Sequence, residues 1–128
     1  MGMNEKLIWT DSHEADATFA LKQYYGCKYS ADEHVTIPTN DADIPAGLVL
    51  NNPASGEVAQ VLKIGRAPGY CVEDIAYGEK VRIDSAGKVA LWETTDTTCH
   101  CVGICVKSGD ADEMGVFDFC FPSAIDTA

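Results

Sequence analysis

The chain has 128 residues, 46% hydrophobic and 23% charged, which suits one folded domain and excludes both disorder throughout and two independent cores. Nine Lys and Arg against twenty Asp and Glu leave a net charge of −11. That balance argues against nucleic acid and anionic membrane as partners, because both are bound through Lys and Arg.

Residues 1–45 have no sustained hydrophobic period. Two short apolar clusters, Leu7 to Trp9 and Phe19 to Leu21, flank the polar run 10–16. Glu14, Ala15, Ala17 and Ala20 to Lys22 favour a helix over 14–25 by propensity alone. The segment is expected to be an irregular N-terminal arm. Its aromatics, Trp9, Phe19, Tyr24, Tyr25 and Tyr29, are too many for a free linker, and they are the candidate contacts with a neighbouring protein.

From residue 46 the pattern changes to short strands punctuated by Gly. Residues 47–50 form one candidate strand and 57–64 a second, separated by a turn over 51–56. Arg66, Ala67, Pro68 and Gly69 suggest another turn. Val81 and Ile83 alternate with Lys80 and Arg82, and Val89 and Leu91 lie beyond Asp84-Ser85-Ala86-Gly87. That arrangement predicts a hairpin. Residues 99–106 are apolar on both faces, as a central strand is. The last strand, 115–121, places Phe117, Phe119 and Phe121 on one face, expected in the core. These elements predict an all-β fold: a small barrel or sandwich over 46–121, with the arm before it and a C-terminal tail over 122–128.

Six cysteines in a short chain invite a disulfide framework. The N-terminal residues lack the basic-then-apolar pattern of a secretory signal, and the apolar content suffices for a core without staples. Cys99, Cys101 and Cys105 fall on one expected strand, where same-face neighbours stand roughly 6.6 Å apart. A disulfide needs Cβ atoms about 4 Å apart. The cysteines are therefore expected to be reduced core residues. Cys99-x-Cys101 with His100 is a poor zinc knuckle on an extended strand, and Asp110, Asp112 and Glu113 lack the calcium-loop pattern.

There is no phosphate loop, dinucleotide fingerprint or nucleophile elbow, and His13, His34 and His100 are scattered. No catalytic residue, cofactor or metal ligand is expected, and the chain does not read as an enzyme. No apolar run approaches the ~18 residues of a membrane-spanning helix.

An ordered set of phrases carries a resemblance. Ala46-Gly47-Leu48-Val49-Leu50 is followed by Gly56-Glu57-Val58 and by Gly69-Tyr70-Cys71-Val72-Glu73-Asp74-Ile75. Then come Gly78-Glu79-Lys80-Val81-Arg82-Ile83-Asp84, Gly87-Lys88-Val89-Ala90-Leu91 and Val102-Gly103-Ile104. The run resembles the small capsid decoration, or cement, proteins of tailed bacteriophages and prophages, over about three-fifths of the chain. The resemblance implies a small β-barrel-like domain that forms a homotrimer, binds the major capsid protein on the outer capsid surface of the virion and stabilises the shell. It also implies synthesis in the host bacterial cytoplasm, and neither nucleic acid nor membrane as a partner. The alternatives are another virion component, of the tail or of head completion, and a metal-binding or thiol-redox protein. The long N-terminal segment and the cysteines depart from that family's pattern.

Overall fold

The computed structural model describes residues 6–40, 43–93 and 100–121. Cys99 and the expected tail over 122–128 lie outside them. The described residues contain nine strands and no helix: β1 (Lys6–Ala15), β2 (Gly26–Ala31), β3 (His34–Thr36), β4 (Pro45–Val49), β5 (Val58–Tyr70), β6 (Lys80–Ile83), β7 (Val89–Leu91), β8 (Gly103–Lys107) and β9 (Met114–Cys120). The all-β expectation holds.

The strands form one sheet in the order β1-β3-β2-β4-β5-β9-β8-β6-β7, and β1 also pairs with β5. That second pairing bends one end of the sheet into a partial ring. β5 is the spine. One of its edges carries β1 along Val58 to Arg66; the other carries β4 at Val61 and Leu62, then β9 from Ile64 to Tyr70. The β1–β3 pairing is parallel and short, Glu14 opposite His34 and Ala15 opposite Val35.

Two apolar clusters lie along this spine. Ala15, Phe19, Cys27, Val35, Ala46, Val49, Ala59 and Val61 fill the N-terminal ring. Leu48, Leu62, Ala67, Cys71, Val81, Val89, Phe117 and Phe119 of β9 and Phe121 just beyond it belong to the larger second cluster. Phe117, Phe119 and Phe121 are all buried and their rings pack in series, 5.5 and 5.4 Å apart. Burying each contributes roughly 1.5–3 kcal/mol, and the expected core stripe is there.

The segment before residue 46 departs from expectation. It is not an irregular arm: it supplies three strands and four of the eight buried side chains of the N-terminal cluster. Its strands carry no clean alternation because β1 is exposed on both faces from Lys6 to Ser12, and such a strand leaves no periodic signature. The helix expected over 14–25 is absent. Glu14 and Ala15 continue β1, and Leu21 and Tyr24 adopt positive φ, 59° and 70°, which a right-handed helix does not permit. Burial of Ala15 and Phe19 outweighs a local propensity of a few tenths of a kcal/mol per residue.

Two further differences concern the second half. β5 runs straight through Arg66-Ala67-Pro68-Gly69. Beyond Arg66 it pairs with β9 alone, so the N–H that Pro68 lacks is not needed by a second ladder. β8 begins at Gly103, so Cys101 precedes the strand and is half-buried, while Cys105 is buried. The hairpin at Asp84 forms as expected. The Asp84 carboxylate accepts hydrogen bonds from the amides of Ala86 and Lys88, both at 2.9 Å, and Gly87 takes φ +90°, a conformation that favours Gly.

Candidate assembly surface

β1 runs antiparallel to β5, but only its last two residues pair on the other side. Among the described residues the outer edge of β1 from Lys6 to His13 has no strand against it. Leu7, Ile8 and Trp9 are exposed there, Ile8 to 72%. A bulge lies between Leu7 and Trp9 and local twist of this kind blunts an edge. β1 can reach β5 here because Gly65, at φ +148°, has no side chain: a Cβ would collide with the Lys6 carbonyl. Beside this edge lies an open groove of about 350 Å³, where Ile8 and Ile64 face the ion pair of Arg66 and Asp118. The guanidinium donates to the carboxylate twice, at 2.7 and 3.2 Å. Both partners are largely exposed, so the pair contributes orientation more than stability.

The structure divides the five aromatic candidates. Trp9, 44% exposed, stands on the open β1 edge. Phe19 is fully buried in its own chain's core, so it is corrected from contact residue to core residue; its amide is anchored to Pro53 O at 2.8 Å. Tyr24 and Tyr25 are half-buried and line a different groove, with Tyr25 stacked on Tyr70 at 5.6 Å. Tyr29 is outward-facing but tethered. Its hydroxyl accepts a hydrogen bond from Lys63 Nζ at 2.6 Å, and the His13 and Tyr29 rings stand nearly perpendicular, their centres 5.5 Å apart.

Lys63 is 1% exposed. Its ammonium is held by neutral oxygens, Tyr29 Oη and Ala46 O, the latter at 2.8 Å. A buried charge requires such partners. The sequence carries a signal for this: Lys63 falls on the same strand face as Ala59 and Val61, an inward position for a cation. Cys27, also fully buried, is pushed up to about 12 by desolvation, and its thiol is directed at Gly47 O. Burial likewise raises Cys71 to about 11 and raises Cys105. These thiols resist ionisation and behave as small apolar side chains. The five described cysteines are free, and of them Cys120 is exposed.

Sequence reasoning also missed a polar cluster where β1 meets β3. Asp16 accepts from the Ser30 hydroxyl and bonds His34 Nδ1 at 2.7 Å, and His34 Nε2 lies 3.9 Å from Glu14. The Ser30 hydroxyl first, then His34, hold the Asp16 carboxyl below its ordinary value. Asp16 in turn raises His34. Donor atoms of Glu14, Asp16 and His34 lie within 4.8 Å of one another, a set able to take a cation but already satisfied by its own hydrogen bonds. No sequence spacing announces it, because β1 and β3 come together only through the parallel pairing.

No family model and no curated protein matches this sequence. A solved structure does match: the N-terminal base of the head fiber protein gp8.5 of bacteriophage phi29. The TM-score is 0.66 at 14% identity, covering 91% of this chain and 98% of that one. At that identity the likeness is one of fold.

Proposed function

We propose that this chain is a structural protein of a tailed-phage head, bound to the outer surface of the assembled capsid, where it stabilises the shell. The observation that carries the reading is the fold shared with the base of a phage head fiber over nearly the whole of both chains. The decoration-protein phrases of the sequence favour the same role. The chain acts by binding rather than by catalysis. Its partners are the major capsid protein and further copies of itself, as a homotrimer, with neither nucleic acid nor membrane among them. It is made in the host bacterial cytoplasm and resides in the virion.

The open β1 edge, with Leu7, Ile8 and Trp9, supplies the apolar surface that such assembly needs, and aromatic anchors dominate interfaces of this kind. A trimer would meet several coat subunits at once, and linked weak contacts gain avidity without new chemistry. The test is to mix purified protein with mature empty capsids and image them. Stoichiometric threefold density on the outer face is expected. A protein that remains monomeric at high concentration and leaves the shells bare overturns the reading; density confined to a portal or tail vertex favours a tail or head-completion part instead.

A further inference from the structure

A second surface lies away from the β1 edge. The loop 16–25 is pinned to the end of β4 and the residues just after it. Gln23 N donates to Asn52 Oδ1 at 3.0 Å, Gln23 Nε2 donates to Leu50 O at 2.8 Å, and Tyr24 N donates to Val49 O at 2.6 Å. At its tip Leu21 is 94% exposed and holds φ +59°. A bulky apolar residue in the left-handed region costs strain, and its exposure gives nothing back within the chain. Leu21 rims an open groove of about 300 Å³, floored by Tyr24, Tyr25 and Tyr70, with the half-exposed Met114 on the far side.

Two lysines stand over aromatic rings that line the groove, in an otherwise acidic protein. Lys22 Nζ lies 4.9 Å from the centre of the Tyr25 ring, and Lys88 Nζ lies 5.3 Å from that of Tyr70. Three other cations are engaged elsewhere: Lys28 with Asp43, Arg66 with Asp118, Lys63 in the interior. The nearby Asp84 carboxylate is taken up by the turn amides of Ala86 and Lys88. The exposed apolar tip, the aromatic floor and the two flanking ammoniums fit an apolar side chain set between carboxylates.

We infer that this groove is a docking site for an acidic segment of the capsid surface, with an apolar side chain seated among Leu21, Tyr24 and Met114 and carboxylates reaching Lys22 and Lys88. A second copy seated through its own Leu21 is disfavoured as occupant, because it would bring Lys22 against the same two lysines. The inference rests on the capsid-binding reading and names the surface through which the binding occurs.

Three variants test it against mature empty capsids, with oligomeric state measured in parallel. The double variant Lys22→Glu/Lys88→Glu should weaken shell binding about tenfold or more, and wild-type binding should fall as salt rises, as expected where charges across an interface are complementary. Leu21→Asn is the second. Asn tolerates the left-handed conformation, so this variant should melt no lower than wild type while binding shells more weakly. Tyr77→Ser, which removes another exposed ring, should leave binding unchanged. If wild type binds shells and the Lys22/Lys88 and Leu21 variants bind equally well, the inference fails and the capsid reading stands. If wild type leaves shells bare, both fail. If those variants change the oligomeric state and not shell occupancy, the groove is a self-contact and the inference is overturned.

Discussion

Tyr29 is 48% exposed, and a ring so placed ordinarily changes stability by less than about 0.5 kcal/mol when trimmed. Here its hydroxyl is one of two oxygens holding a buried ammonium. Tyr29→Phe keeps the ring and removes that acceptor, and a hydrogen bond to a charged group is worth about 1.5–3 kcal/mol. A loss of that size is expected in denaturant unfolding of the variant; a change below about 0.5 kcal/mol would mean Lys63 finds other partners. The His34–Asp16 pair is visible instead in pH dependence. His34 is raised from its ordinary 6.5, so its contribution is complete below that value and lost as pH rises through the raised one. Asp16 is lowered from 3.8, so its contribution is present above 3.8 and lost as pH falls through the lowered value. The pair therefore acts most between about pH 4 and 6.5. Melting of His34→Gln against wild type should differ most there, and the gap should close as pH rises above neutral.

Among the elements, β1 depends on one residue of its neighbour. Gly65 lets the Lys6 carbonyl approach β5, and Gly65→Ala adds a Cβ where that carbonyl stands, at a φ that strains any L side chain. The first half of β1 should lift away while His13 and Glu14 stay paired with Ala59 and Val58. Amide hydrogen exchange is the measurement: faster exchange confined to residues 6–12 is expected, whereas faster exchange spreading through β9 would mean the strand cannot detach alone. β9 offers the contrast. Its Phe117 and Phe119, with Phe121 just beyond it, are buried in the larger cluster, and a buried Phe→Ala typically costs about 3–5 kcal/mol.

On the scale of the whole molecule, the two apolar clusters share β5, so neither half is an appendage of the other. Residues 1–35 supply Ala15, Phe19, Cys27 and Val35 to the N-terminal cluster. Removing them would expose Val49, Ala59 and Val61 and strip β5 of an entire neighbour. The truncated protein is expected to lose most of its cooperative thermal transition and to aggregate, followed by circular dichroism and light scattering. A truncation that melts as sharply as the full chain would restore the picture of a separable arm. The distinction bears on assembly, because an arm could be exchanged between copies whereas a core strand presents a fixed surface.

Where one face of a strand is buried and the other wet, local pattern was enough. Val81 and Ile83 against Lys80 and Arg82, the Asp84 turn and the Phe117, Phe119, Phe121 stripe all gave the right elements, because alternation and turn chemistry act within a few residues. The all-β class follows from the same short-range physics. The N-terminal strands were hidden for the opposite reason: β1 is wet on both faces and is held by backbone pairing to β5, some fifty residues away in sequence. The site residues were legible only as aromatics of unspecified place. Burial separated Phe19 from Trp9, and only the folded chain brought Tyr25 to Tyr70, Lys63 to Tyr29 and His34 to Asp16. Those contacts join residues 18 to 45 positions apart, and no local period records a distance that the sheet's topology creates.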